Sequence, residues 1–123
     1  MSHSILVVDD EPGFREMLTF VLEPLGFEVT AVENGFEALK KIRERNFSVV
    51  LMDVHMPVMG GPETVKKIYQ LRPEQKVIVF SSSLDPHHSQ EVEMAQSVVA
   101  CLYKPVELDD IQAAIQKAIG KVA

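Results

Sequence analysis

Cysteine is almost missing from this chain: Cys101 is the single thiol in 123 residues. That excludes an internal disulfide and offers no zinc constellation. Long apolar runs are missing too, and none approaches the ~20 residues a membrane-crossing helix needs. The amino terminus has no basic stretch or cleavage site and enters a strand at Ser4-Ile5, so no signal peptide is expected. Basic residues are the minority, 12 Lys and Arg against 18 Asp and Glu, for a net charge of −6. A general affinity for nucleic-acid phosphates or an anionic membrane surface is therefore not expected. Repeats, linkers and low-complexity tracts are lacking as well. The absences point to one domain spanning residues 1–123, in a reducing cytoplasm, with neither direct nucleic-acid binding nor membrane insertion.

What is present is ordinary in bulk, with 46% apolar and 24% charged residues, and the chain is long enough for one packed core. Its order is informative. Ile5-Leu6-Val7-Val8 reads as a buried strand running into Asp9-Asp10-Glu11. Pro12-Gly13 then opens a helix with Phe14, Met17, Leu18, Val21, Leu22 and Leu25 on one stripe, stopped by Gly26. Phe27 to Ala31 alternates like a strand near a sheet edge. Asn34 with Glu37 three residues on predicts a capped helix through Ala38, Leu39 and Ile42. Ser48-Val49-Val50-Leu51-Met52 is a strand apolar on both faces, ending in Asp53, and the chain breaks soon after at Pro57, Gly60 and Gly61.

Pro62 suits the start of a further helix carrying Val65, Ile68 and Tyr69. Val77 to Phe80 is the next strand, followed by Ser81-Ser82-Ser83. The helix opened by Asp85-Pro86 is thin, with Val92, Met94 and Ala95 nearly its whole apolar complement. Val98 to Tyr103 is the fifth strand, ended by Lys104-Pro105. The last helix places Leu108, Ile111, Ile115, Ala118 and Ile119 on one face, with acids at its start and lysines at its end, as the helix dipole favours. Strands and helices in strict alternation imply an α/β fold: one five-stranded parallel sheet with helices on both faces.

The residues that end the strands carry the chemistry. In a parallel sheet Asp9 and Asp10, Asp53, Ser81 and Lys104 all arrive at one edge, where open α/β sheets bind their ligands. Three crowded carboxylates repel one another, and one would take up a proton unless a cation is present. A hard divalent ion resolves this, and Mg2+ suits a site of one or two carboxylates plus a phosphate. Phosphoryl transfer needs this inventory: an oxygen nucleophile, a metal, a cation for the equatorial oxygens and a hydrogen-bond donor. Asp53 as nucleophile would give an aspartyl phosphate.

With those residues in place, the chain resembles a receiver domain of the bacterial two-component response regulators along its whole length. The motifs are Val7-Val8-Asp9-Asp10-Glu11, then Met52 to Gly61, then Ser81-Ser82, then Lys104-Pro105. The resemblance implies a flavodoxin-like sheet in the order 2-1-3-4-5. It implies Asp9, Asp10, Asp53 and the backbone carbonyl of His55 as metal ligands for Mg2+, or Mn2+ in its place. Asp53 is implied as the phosphoacceptor, with Ser81 and Lys104 contacting the phosphoryl group. Side chains at His55 and Ser83 fall where such domains tune phosphate lifetime. Its donor would be a histidine kinase or phosphotransfer protein, and its downstream partner is not named by the sequence. Beyond Mg2+-dependent self-phosphorylation and slow autodephosphorylation, no enzyme activity is implied.

Three rival readings stand beside it. An aspartyl-phosphate phosphatase of the haloacid dehalogenase type wants an Asp-x-Asp motif after its first strand and a longer core, and neither is present. A flavodoxin-type flavin carrier must cradle phosphate in its first loop, where Asp9-Asp10-Glu11 would repel it. The third is a receiver that acts only as a phosphorylation-independent interaction module, against which the intact acidic motifs weigh. The chain also leaves the receiver pattern at three places: Cys101 stands where an aromatic residue is usual, Ser97-Val98 replaces a Gly-Ala pair, and Gly60 stands where Asp is common. Cys101 and Tyr103 are the possible output switch. Cys101 has no ring to follow a moving Ser81, and Tyr103 shares its side of the strand. Residues 84–97 are therefore expected to carry most of the conformational readout, because few apolar anchors hold them.

Overall fold

The structure is a computed structural model that describes residues 3–54, 59–81 and 97–120. Five strands, β1 (Ser4–Val8), β2 (Glu28–Val32), β3 (Val49–Asp53), β4 (Val77–Ser81) and β5 (Val98–Tyr103), make one sheet. All pairings are parallel and the order is β2-β1-β3-β4-β5, as the resemblance implied. The helices are α1 (Pro12–Leu22), α2 (Gly35–Glu44), α3 (Gly61–Leu71) and α4 (Leu108–Ile119). A 3-10 turn at Glu23–Leu25 follows α1, which is where Pro24 removes a backbone donor. The helix expected from Asp85 lies outside the described residues.

The sheet divides the core into two layers. Leu6, Val8, Val50, Met52 and Val79 face α2 and α3, whereas Ile5, Val7, Leu51, Ile78 and Phe80 face α1 and α4. β3 and β4 are buried at every residue, which explains why their sequences are continuously apolar rather than alternating. β2 sits at an edge and begins one residue later than its sequence pattern suggests. Its register with β1 starts at Ser4–Glu28, and the Glu28 amide donates to His3 O.

Helix ends follow local chemistry. The Asn34 side chain accepts the Glu37 amide at 2.9 Å, so the expected cap forms. Arg72 caps the far end of α2: its Nε and Nη2 both donate to Ile42 O, at 3.0 and 2.8 Å. Lys76 Nζ donates to Ala118 O near the end of α4.

Two stripes are narrower than their spacing predicts. In α1 only Leu18 and Leu22 are fully buried, Met17 is exposed, and so is Leu25 in the 3-10 turn that follows. In α4 the first residue, Leu108, is exposed too. Each helix touches the twisted sheet along a line rather than a broad face, so residues at the stripe margin stay in solvent. Leu18 and Leu22 still contribute about 2 kcal/mol each, enough to seat α1 beside the carboxyl edge of the sheet.

Candidate functional site

Parallel pairing brings the ends of β1, β3, β4 and β5 to one edge. β1 and β3 are adjacent, so the residues leaving them, Asp9 and Asp53, arrive side by side. The sequence at β1 decides how Asp9 is held. Its side-chain Oδ1 accepts the Glu11 amide at 2.8 Å, a local turn that suits Asp at the mouth of a helix. Its backbone carbonyl accepts a 2.7 Å hydrogen bond from Arg15 Nη1, one turn into α1. Asp9 is fully buried, Asp53 nearly so and Asp10 exposed. One carboxylate oxygen from each of the three lies within 4.8 Å of the others.

Lys104 closes the group from β5. Its Nζ is 3.6 Å from Asp9 Oδ2 and 3.5 Å from Asp53 Oδ2, and 4.4 Å from the centre of the Phe14 ring. The Lys104 amide donates to Ser81 O at 2.8 Å, so the β5 exit is tied to the end of β4. Ser81 itself is wholly buried as the last residue of β4. The Lys104–Pro105 peptide bond is cis.

The start of α3 lies against Val54, the residue next to Asp53. The Gly61 amide donates to Val54 O at 3.0 Å, and a Cβ on Gly61 would stand 2.7 Å from that oxygen. Glycine is required there because the start of α3 presses on the residue that follows Asp53.

The electrostatics suit a cation. Burial pushes the Asp9 carboxyl above its ordinary value of 3.8. The Glu11 amide and the Lys104 charge oppose that shift, and the charges of Asp53 and Asp10 add to it. Asp9 Oδ2 is buried with no hydrogen-bond donor, although Lys104 offers it charge at longer range. A buried carboxylate oxygen without a donor, beside two other carboxylates, fits a hard divalent ion with oxygen ligands.

The expected residues Asp9, Asp10, Asp53 and Lys104 thus come together, and Ser81 ends the neighbouring strand. The His55 carbonyl and Ser83 lie outside the described residues, as do 84–96. Cys101 is half-buried against the α2–α3 layer. Tyr103 is exposed on the same side of β5, as strand alternation requires. Two contributors escaped the sequence reading. Phe14 looked like an ordinary stripe residue and Arg15 carried no signal, yet both occupy the first turn after Asp9-Asp10, a position that points back at the strand ends.

The chain matches the response regulator receiver domain family over residues 5–116. It belongs to that family. As a receiver of two-component signalling it is 34% identical over 122 residues to the chemotaxis protein CheY of Bacillus subtilis, covering 98% of this chain and 100% of that protein. It is also 34% identical over 116 residues to the transcriptional regulatory protein ZraR of Escherichia coli O157:H7, covering 94% of this chain. The receiver spans about a quarter of that regulator, 26% of its length. Among solved structures, the response regulator protein TrrA of Thermotoga maritima in complex with Mg(2+)-BeF aligns with a TM-score of 0.83 at 31% identity, covering 96% of this chain and 99% of that one. Among the described residues, no helix is long and apolar enough to cross a membrane.

Proposed function

We propose that this receiver is switched by phosphorylation of Asp53, with Mg2+ held by Asp9, Asp10 and Asp53. The observation that carries the reading is the convergence of three carboxylates within 4.8 Å under a lysine ammonium 3.5 to 3.6 Å from two of them. The Mg2+ complex of the Thermotoga relative supports it. Mn2+, with similar oxygen preference, would serve in the same place, and the His55 carbonyl is the remaining proposed ligand.

In the proposed reaction a carboxylate oxygen of Asp53 attacks phosphorus on a phosphohistidine of a kinase or phosphotransfer protein. The new P–O bond forms as the P–N bond breaks, and the imidazole nitrogen keeps the electron pair. Asp9, Asp10 and Asp53 would hold the divalent ion, which would supply positive charge toward the phosphoryl oxygens. Lys104 holds a fixed positive charge toward the same oxygens, and the Ser81 hydroxyl donates to one of them. The Asp9–Glu11 and Asp9–Arg15 hydrogen bonds keep the acidic pair in position. No activity toward another substrate is proposed beyond slow loss of the chain's own phosphate. The output is a changed surface for a downstream protein, with residues 84–97, Cys101 and Tyr103 as the elements that move.

Acetyl phosphate tests this directly. Mass spectrometry should show one added phosphoryl group with Mg2+ or Mn2+ and none with EDTA. Asp53→Asn should reduce labelling to background. Labelling of that variant at another residue would overturn the assignment to Asp53. No labelling of the wild type by any donor would leave a phosphorylation-independent interaction module.

A further inference from the structure

The geometry points to Phe14 as a positioning residue that fixes the Lys104 ammonium over the acidic pocket. Its consequence for phosphoryl transfer rests on the proposed function; the positioning itself does not.

Among the described residues, the Lys104 ammonium lies near three groups: Asp9 Oδ2 at 3.6 Å, Asp53 Oδ2 at 3.5 Å and the Phe14 ring, whose centre is 4.4 Å away. An aromatic ring attracts a cation placed over its face. This ring is not free to turn away. It packs edge-on against Phe80, with centroids 5.5 Å apart and planes at 81°, a favoured aromatic geometry. Phe80 is wholly buried, pairs with Asp53 in the sheet register, and accepts the Val54 amide through its carbonyl at 2.9 Å. The contacts therefore close a loop from Asp53 to Phe80, to Phe14, to Lys104, and back to Asp53.

The carboxylates alone do not explain why the ammonium should stay in place during function. Asp9 and Asp53 are also proposed to hold the divalent ion, and their attraction for Lys104 weakens once that ion shares them. The Phe14 ring is unaffected by such sharing. A lysine is a point charge on a flexible four-carbon stem, and at roughly a third exposed (30%) its side chain has a route into solvent. Attraction to the ring opposes escape by that route. An aliphatic residue at 14 could fill the volume and keep the stem dry, yet it has no quadrupole to hold the charge.

The test needs a reporter on the contact and a reporter on the reaction. In proton NMR the Lys104 ε-methylene should resonate upfield of an ordinary lysine because it lies over a ring, and should stay upfield when Mg2+ alone is added. Phe14→Leu should remove the shift and Phe14→Tyr should keep it. Labelling by acetyl phosphate should slow about threefold to tenfold in Phe14→Leu and recover in Phe14→Tyr. In a Lys104→Ala background, Phe14→Leu should change the remaining rate by less than about twofold, since a residue acting through Lys104 has nothing left to position. An ordinary Lys104 ε-methylene shift in the wild type overturns the clamp, even if Phe14→Leu fails to fold. A Phe14→Leu variant that loses the shift yet labels at the wild-type rate overturns its role in the reaction. If the wild type takes no phosphoryl group at all, the proposed function fails and the NMR arm still decides the clamp.

Discussion

The two ends of the sheet use charged residues in opposite ways. At the amino end, polar groups find partners that finish the fold. Arg72 spans two helices to cap Ile42 O, Lys76 caps Ala118 O, Arg45 donates to Ser4, and His3 pairs with Ser48. Among the described residues there, the Ser97 hydroxyl, just before β5, is buried without a hydrogen bond and is the exception. At the carboxyl end, three acids gather with one ammonium beside two of them, and a buried oxygen of Asp9 is left without a donor. Polar atoms that complete a backbone stabilise a fold, whereas a buried oxygen left short of donors lowers stability unless a ligand arrives. The contrast sets the carboxyl end apart as the place of the proposed chemistry, because only there does the orphaned oxygen sit among other carboxylates.

The sharpest way to break this contrast is to weaken the proposed cation site from two directions. Asp10→Asn should raise the Mg2+ dissociation constant by about tenfold or more by calorimetry, because a charged oxygen ligand is lost. Lys104→Ala should still bind Mg2+, since the ammonium competes for Asp9 and Asp53, yet fail to change conformation when phosphorylated. Equal loss of metal affinity in both variants would make Lys104 part of the metal site and remove the distinction drawn between them.

A second test asks whether the carboxyl end really carries a stability penalty without metal. The Asp9 carboxyl is raised above 3.8 by burial, so the folded state holds that proton more tightly than the unfolded chain. Its favourable contribution is full below pH 3.8 and is lost as pH rises through the folded value. At neutral pH, Asp9→Asn should therefore melt higher than the metal-free wild type, on the order of 4 °C. The advantage should shrink as pH falls toward 3.8 and also when Mg2+ is added to the wild type. A lower melting temperature for Asp9→Asn at neutral pH without metal would mean that the Glu11 and Lys104 contacts outweigh the burial.

The amino end predicts a smaller effect on function. Arg72→Ala removes two charge-assisted hydrogen bonds from Ile42 O and should cost about 1–3 kcal/mol of stability, measured by urea unfolding. Labelling of the folded variant by acetyl phosphate should match the wild type. A large change in labelling would show that the two ends are coupled through α2 and α3, and the division of labour between them would fall.

Much of this molecule is legible in its sequence. The strands and helices of the described residues followed from apolar spacing, because a residue's face within an element depends on neighbours a few positions away. The Asn34 cap was readable for the same reason: donor and acceptor are three residues apart. The strand-end residues Asp9, Asp10, Asp53, Ser81 and Lys104 needed only the parallel topology to be placed at one edge. The strand order was less accessible from the residues themselves, and family resemblance supplied it.

Tertiary structure alone decided the rest. Nothing near Phe14 in the chain says that its ring will lie over Lys104, since the two meet only after α1 and β5 have both docked on the sheet. Arg72 reaching Ile42, and Met17 emerging into solvent at the margin of its stripe, depend equally on the angle at which one element crosses another. Local sequence determines which residues an element can present. Which of them meet is determined by packing, because contacts between distant segments depend on the shape of the whole core.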